Sequence, residues 1–364
     1  MKEMDMQQFY KNRVVLVTGH TGFKGTWLCK ILKMMGAKVI GYGLEPPTNP
    51  SLFEMTKMSG DMVSVIGDVR DFDHLNKIFD MYQPEVVIHM AAQPLVRESY
   101  LNPRYTYETN VMGTVNICEA VRTHSCVKSF LNVTTDKVYQ NREWIWGYRE
   151  DDALDGYDPY SNSKSCSELV THSYINSFFM EAGIPVSTAR AGNVIGGGDF
   201  AKDRIIPDAV RAIENAAVME IRNPNSTRPY QHVLEPLFVY LTIAYKQAMD
   251  SQYVGYYNVG PDECDCITTG ELVKLFAEKW EQLGAKEKKF QYRIASNSNG
   301  PHEAGFLKLD CSKLKNTFHW KPMWHIEEAV SMICEWNDVY FKTEHDAKEL
   351  QAIMEKQIKS SGMI

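Results

Sequence analysis

Tyr160 and Lys164 stand four residues apart in the run Tyr160-Ser161-Asn162-Ser163-Lys164. In a helix that spacing puts a phenol and an ammonium on one face, one turn apart. The residues that follow, Glu168, Leu169 and Val170 among them, suit a helix. A free phenol titrates near pH ~10, too high for a base at neutrality. A cation about 4 Å away at an effective dielectric of ~20 stabilises the phenolate by about 4 kcal/mol. That is roughly three pKa units, which predicts a phenol titrating near neutrality. Such a pair takes a hydroxyl proton while hydride leaves the same carbon. A buried Tyr and a solvated Lys give the same spacing with no chemistry, so the pair needs support from elsewhere in the chain.

Thr134-Thr135-Asp136-Lys137 supplies it. These residues close the run 129–139, which begins Ser-Phe-Leu-Asn-Val and reads as a buried strand. Ligands of open α/β sheets bind at the carboxyl ends of the strands. Hydroxyl, carboxyl and amine from this strand end can therefore meet Tyr160 and Lys164 over one secondary alcohol.

The elements that must carry these groups alternate strand and helix. Residues 13–18 read as a strand buried on both faces, and Gly19-His20-Thr21-Gly22-Phe23-Lys24-Gly25 follows at once. A helical stretch over 27–35, Gly36 and a second strand over 38–42 complete a βαβ unit. Gly19 suits the tight turn, Gly22 the close approach of a pyrophosphate, and Gly25 the packing of helix on strand. Thr21 and Phe23 belong to the same loop, and the phosphates would sit on the helix N-terminus. After the second strand no arginine stands ready for a 2′-phosphate, which favours NAD over NADP. The acid that usually meets the adenine ribose is missing from Gly41-Tyr42-Gly43-Leu44, and Glu45 comes late.

A third strand covers 63–71 and contains Asp68 and Val69, with Asp71 as the cap of a helix over 72–82. A fourth, 85–92, ends in the small residues Ala91 and Ala92, where a backbone can lie against the nicotinamide half of the cofactor. Gln93, Arg97 and Ser99 follow on a loop, and Asn110 opens a helix running to 123. A sixth strand covers 186–190, and the glycine-rich stretch 191–199 marks the main domain boundary. Beyond it stand Asn193, Lys202, Arg204, Arg222, Arg228 and His232. Basic residues gathered in an acidic protein point to an anion site, most simply the diphosphate of a nucleotide sugar. Solvated surface accounts equally for any one of them.

Composition sets the outer bounds. The 364 residues are 44% hydrophobic and 23% charged, with net charge -7. That charge argues against nucleic acid as a partner. No apolar run is long enough to span a bilayer, and residues 1–9 lack a signal-peptide core, so a cytoplasmic protein without a membrane partner is expected. The eight cysteines are scattered, and Cys264 and Cys266 lack a second pair at metal-ligand spacing, so no metal site is expected.

Several longer runs together are more specific than any one motif. They are 19–25, His-Met-Ala-Ala-Gln-Pro-Leu-Val-Arg at 89–97, Thr-Asp-Lys at 135–137, and Tyr-Asp-Pro-Tyr-Ser-Asn-Ser-Lys at 157–164. Arg-Ala-Gly-Asn-Val-Ile-Gly-Gly-Gly-Asp at 190–199, Gln-His-Val-Leu-Glu-Pro at 231–236 and Leu-Lys-Leu-Asp at 307–310 complete the set. From about residue 13 to 336 the chain resembles the CDP-glucose 4,6-dehydratase family of the extended short-chain dehydrogenase/reductase superfamily.

The resemblance implies an α/β fold: a Rossmann doubly wound parallel sheet with a smaller C-terminal mixed α/β substrate lobe. The expected NAD-binding domain is 1–190, with 234–262 and 324–343 packing back on it. The nucleotide-sugar lobe is 191–233 and 263–323, and 344–364 is a charged tail, helical in character, with a frayed end. NAD as a bound cofactor is expected on Gly19, Thr21, Gly22, Phe23, Gly25, Asp68, Val69, Ala91, Ala92, Gln93, Asn110, Thr134, Tyr160 and Lys164, with Asp68 on the adenine amino group and Val69 over its ring. The catalytic set is Thr135, Asp136, Lys137, Tyr160 and Lys164. CDP-glucose is expected on Arg97, Asn193, Arg204, Arg228 and His232. Related dTDP-glucose dehydratases carry a glutamate as the C5 base where this chain has Lys137. A homo-oligomer, a dimer or a dimer of dimers, is expected to pair through helices near 112–123 and 164–180. The rival chemistry is a 4,6-dehydratase or 4-epimerase acting on another nucleotide sugar; an epimerase needs Tyr160, Lys164 and the cofactor but no acid/base pair for eliminating water. A non-enzymatic NAD-binding regulator is a third reading, which the intact Thr135, Tyr160 and Lys164 argue against.

Overall fold

The computed structural model describes residues 5–284, 288–295 and 305–364. Seven parallel strands form the central sheet: β1 Val14–Thr18, β2 Lys38–Gly43, β3 Val63–Ile66, β4 Val86–His89, β5 Ser129–Thr135, β6 Val186–Ala191 and β7 Tyr256–Val259. Their order across the sheet is β7-β6-β5-β4-β1-β2-β3, reversing direction between β1 and β4. Adjacent side chains of β1 show why both faces must be covered. Val15 and Val17 enter one apolar cluster and Leu16 enters the other, as the two-residue period of a strand requires.

Among the described residues, the helices of ten residues or more that frame the sheet and the second lobe are α1 Phe23–Met34, α2 Phe72–Tyr82, α3 Gly113–Thr123, α4 Pro159–Tyr174, α5 Ile205–Glu214, α6 Leu234–Met249, α7 Thr269–Gln282, α8 Ile326–Lys342 and α9 Ala347–Ser360. α1 and α6 join the cluster on one face of β1, while α2 and α3 join the cluster on the other. The lobe is built on α5 and α7, whose Ile206, Val210, Phe276 and Trp280 form their own apolar cluster with Val330 and Ile333 of α8. Trp336 and Tyr340, further along α8, bury in the main core. In the lobe, strand Val218–Ile221 pairs in parallel with Gln291–Ile294. Residues 285–287 and 296–304 of the expected sugar lobe lie outside the described residues.

Two local features differ from the sequence expectation. The fifth strand stops at Thr135, where a 3-10 turn over Asp136–Val138 takes over. The helix expected to open at Asn110 starts earlier: Pro103–Tyr107 passes through a π-helical turn, Glu108–Met112, before α3, so Asn110 lies mid-helix. The tail expected to be charged and helical with a frayed end does form a helix, α9, and it is docked on the main core through Leu350, Ile353, Met354 and Ile358. Those four positions follow the helical apolar period inside an otherwise charged segment. Polar ties reinforce it: Lys30 to Glu355 at 2.7 Å and the Gln351 amide to the Thr56 carbonyl at 2.6 Å.

Glu235, in the first turn of α6, fastens the segment before α8. Its Oε1 accepts from the backbone amides of Met323 and Trp324 at 2.6 and 2.9 Å. Its Oε2 is buried without a hydrogen-bond partner. Burial pushes the carboxyl up from an ordinary 4.5 to about 7, against the pull of the two amides. A raised carboxyl pKa gives stability that is complete below the unfolded value and lost as pH rises through the folded one. Between pH ~5 and ~8 wild-type unfolding free energy is therefore expected to fall by about 3 kcal/mol more than that of Glu235→Gln, whose amide oxygen still accepts both bonds. Urea denaturation at the two pH values measures it; parallel slopes for the two proteins contradict it.

Candidate active site

Gly19 turns the chain out of β1 with φ +76°, and a Cβ there would come within 2.9 Å of the Ala91 backbone beyond β4. A Cβ at Gly25 would lie 2.1 Å from the Gly19 carbonyl, so α1 sits directly on the turn. Gly22 caps α1 with no side-chain acceptor on its first amides, and its Cβ direction meets only the Gly19 oxygen, at 3.5 Å. An open backbone, free first-turn amides and a helix dipole are what a pyrophosphate needs. Thr21 borders this loop with its hydroxyl donating to the Leu44 carbonyl at 2.8 Å, and Phe23 reaches toward Gly196. Tyr42 bonds the Asp68 carbonyl, Arg70 holds the Asp68 carboxylate at 2.6 Å, and Val69 packs beside Gly113.

Three residues expected at the cofactor have side chains already engaged by the protein. Asn110 bridges the backbone of Gln93 and the hydroxyl of Ser163, tying the loop after β4 to α4. Gln93 itself bonds Thr106 and the Leu95 amide. The Thr134 hydroxyl donates to Glu168 beneath α4. They fix the walls of the site from behind, and only their backbones or neighbours remain for a ligand.

Beyond β5 the groups expected to be catalytic converge. Asp136 is fully buried; its Oδ1 accepts from the Thr135 hydroxyl at 3.0 Å and from Lys137 Nζ at 3.2 Å, while Oδ2 has no partner. Lys137 Nζ also donates to Asn193 Oδ1 at 3.1 Å. Thr135 is also near enough to Tyr160 to pull its pKa down, so one hydroxyl borders both phenol and carboxylate. Lys164, one turn along α4, donates to the Val133 carbonyl at 3.1 Å.

The expected near-neutral phenol is not what these surroundings produce. Burial pushes Tyr160 up to about 12, with Thr135 and Arg204 pulling it down and Asp136 and Asp158 pushing it further up. Burial also pushes the Lys164 ammonium down to about 8. The spacing argument supplied the cation's attraction and omitted the desolvation of both partners, which here is the larger effect.

The residues expected to bind substrate divide. Arg204 pairs with Asp199 at 3.0 Å and is near enough to influence Tyr160. Arg97 faces Asp203 at 3.4 Å, and Asp203 also takes Arg222 at 3.0 Å, so one carboxylate gathers cations from both lobes. Arg228 is buried, with Nη1 on the Thr227 carbonyl. His232 is a correction. It is sealed between Trp27 and Trp324, its Nδ1 accepts from the Leu234 amide, and burial holds the ring neutral with a pKa of about 3. A histidine so enclosed packs the core, and its Nε2 is buried without a hydrogen-bond partner.

The family model described as GDP-mannose 4,6 dehydratase matches residues 16–333. The chain is 46% identical over 344 residues, 93% of its own length and 94% of the relative's, to the CDP-glucose 4,6-dehydratase of Salmonella typhimurium strain LT2. The chain belongs to this 4,6-dehydratase family. A dTDP-glucose 4,6-dehydratase of Xanthomonas campestris is 25% identical over 334 residues, covering 88% of this chain and 92% of the relative. Among solved structures, a UDP-glucose 4-epimerase from Thermotoga maritima superposes with TM-score 0.74 at 22% identity, covering 91% of this chain and 99% of that one. A dTDP-glucose 4,6-dehydratase from Bacillus anthracis does so with 0.72 at 21%, covering 93% and 99%. These two likenesses establish the fold.

Two residues of this dehydratase site were missed in the sequence. Lys24, in the first turn of α1, donates to the Tyr240 hydroxyl of α6 at 2.8 Å and lies over its ring. Burial, then the nearby charges of Lys164 and Arg204, push Lys24 down to about 7. Its place between Gly22 and Gly25 was the available signal, since a side chain there must point along the loop. Tyr240 gives no signal in an apolar helix.

Proposed function

We propose that the chain is an NAD-dependent CDP-glucose 4,6-dehydratase, a hydro-lyase that yields CDP-4-dehydro-6-deoxy-D-glucose and water. The observation that carries this reading is the buried Asp136–Lys137 pair, bonded to Thr135 beside Tyr160, alongside the 46% identity to the Salmonella enzyme. An epimerase has no step that uses such a pair.

The glycine loop fits a dinucleotide: the Gly22 cradle and the uncapped start of α1 would hold its phosphates. Gly19, Asp68, Val69 and the backbone at Ala91 and Ala92 would border the rest. NAD, when bound, supplies the reversible hydride acceptor that links oxidation at C4 to reduction at C6, and the positive charge of its oxidised ring. Tyr160 takes the proton of the 4-hydroxyl, with Lys164 favouring the phenolate and Thr135 holding the same oxygen. The resulting ketone acidifies C5–H. Transfer of one proton within the Asp136–Lys137 pair makes a carboxylic acid and an amine side by side. Lys137 then removes the C5 proton, and Asp136 protonates the departing O6 through the unpartnered Oδ2. Lys137 returns a proton to C5, and the proton held by Tyr160 passes through Thr135 to restore the pair.

The lobe of 191–233 and 263–323 is assigned to the nucleotide sugar, with Arg97, Arg204 and Arg228 on the diphosphate side and Asn193 beside Lys137. The test is mass spectrometry of the pure protein incubated with NAD and each of CDP-glucose, UDP-glucose, dTDP-glucose and GDP-mannose. Loss of one water from CDP-glucose in preference to the others is expected; no water loss from any of them contradicts the reading.

We place the enzyme in the cytoplasm. All eight cysteines are free, which suits a reducing compartment, and among the described residues no helix is long and apolar enough to cross a membrane. Pairing into a homodimer is supported by exposed Met112, Leu169, Phe178 and Met180 along the expected helical face. Leu169→Glu is expected to halve the mass seen by sedimentation velocity; a wild type that is already monomeric contradicts the pairing.

A further inference from the structure

Three consecutive residues of β5 hold three residues of α4 that lie one turn apart. Thr135 is near enough to pull the Tyr160 pKa down, the Val133 carbonyl accepts from Lys164, and the Thr134 hydroxyl donates to Glu168. The mechanism above uses Tyr160 and Lys164 and leaves Glu168 without a role. Glu168 is 1% exposed, and its Oε2 accepts from Thr188 at 2.8 Å and Arg190 at 3.0 Å on β6. Arg190 also donates to the Tyr139 hydroxyl and the Glu150 carbonyl, so its charge is shared with groups away from α4.

We propose that Glu168 is a positioning residue for the Tyr160–Lys164 pair. Its carboxylate supplies the buried negative charge that keeps Lys164 an ammonium, and its bonds to Thr134, Thr188 and Arg190 fix the rotation of α4 over β5 and β6. The other charged or titratable groups around Lys164 do not do this. Lys24 on α1 repels it, Arg190 is a cation, and Asp136 past β5 is paired with Lys137. His89 on β4 is neutral, bonded to Thr18 and held at about 3 by burial and by Lys164 itself. Tyr160 is a neutral phenol in the chain alone. Glu168 is the group that pulls Lys164 back up against desolvation.

The inference rests on the dehydratase reading for its catalytic meaning, and its test has an arm that does not. In protein labelled with 13C at lysine Cε, the Lys164 resonance is assigned by its loss in Lys164→Met and titrated by NMR. Glu168→Gln is expected to lower its midpoint by about one pH unit, and Glu168→Asp to leave it near the wild-type value. In turnover, the ratio of kcat at pH ~8 to kcat at pH ~6 is expected to fall about fivefold in Glu168→Gln, at unchanged KM. A purely structural carboxylate would lower kcat equally at both pH values. An unmoved midpoint in Glu168→Gln, or an equal shift in Glu168→Asp, overturns the proposal. Should Glu168→Gln not fold, Thr134→Val decides the positioning role. It leaves no buried charge unpaired, and is expected to lower kcat about fivefold at constant KM; unchanged kcat overturns it. A wild type that turns over no nucleotide sugar defeats the dehydratase reading alone, because the NMR titration is read without substrate.

Discussion

Replacing Tyr160 by Phe is expected to lower kcat by ~10³-fold while KM stays within a few-fold of wild type. The ring is buried in the first turn of α4, and Phe keeps its packing while removing only the hydroxyl that lies near Thr135. A loss confined to kcat follows if the phenol acts in the transition state and adds little to ground-state binding. Because oxidation at C4 acidifies C5, the variant should also lose solvent deuterium exchange at C5. Steady-state kinetics with mass detection reads both. Activity within tenfold of wild type would remove Tyr160 from the role of base.

Asp136→Asn and Lys137→Met should fail at different steps, each lowering kcat by ~10²–10³-fold. Asp136 presents a buried, unpartnered Oδ2 and shares its other oxygen with Lys137 and Thr135. Without an acid there, O6 departs slowly, yet Lys137, which is partly exposed, can pass its proton to water instead and still exchange the C5 proton. Deuterium is therefore expected to enter C5 of recovered substrate in Asp136→Asn faster than water is lost. In Lys137→Met the exchange itself should stop. NMR of substrate recovered from deuterated buffer separates the two. Full turnover with C5 exchange in Lys137→Met would show that another group is the base.

Much of this site was legible because strand ends and helix faces follow short, regular periods. The βαβ unit, the glycine loop and the four-residue spacing of Tyr160 and Lys164 are local patterns, and the structure sets the loop at the carboxyl end of β1 and the pair against the end of β5, with β4 between them. Environment was not legible. Tyr160 and Lys164 are adjacent as expected, but their titration depends on how completely the fold removes water, and spacing carries no record of that. His232 failed for a related reason: a histidine beside basic residues in sequence lies between two tryptophans contributed by α1 and the segment before α8. Asn110 read as a helix start because a polar residue before an apolar run is usually a cap. A π-helical turn carries it inward to brace Gln93 and Ser163 instead. Lys24 and Tyr240 meet across more than half the chain, a contact that only the packing of α6 on α1 creates.

The most direct test of the 4,6-dehydratase assignment follows one hydrogen. CDP-glucose deuterated at C4 is incubated with the enzyme and NAD, and the product is examined by NMR and mass spectrometry. The assignment predicts loss of one water with the deuterium moved from C4 to C6. Deuterium remaining at C4, in unchanged sugar or in its 4-epimer, would contradict it.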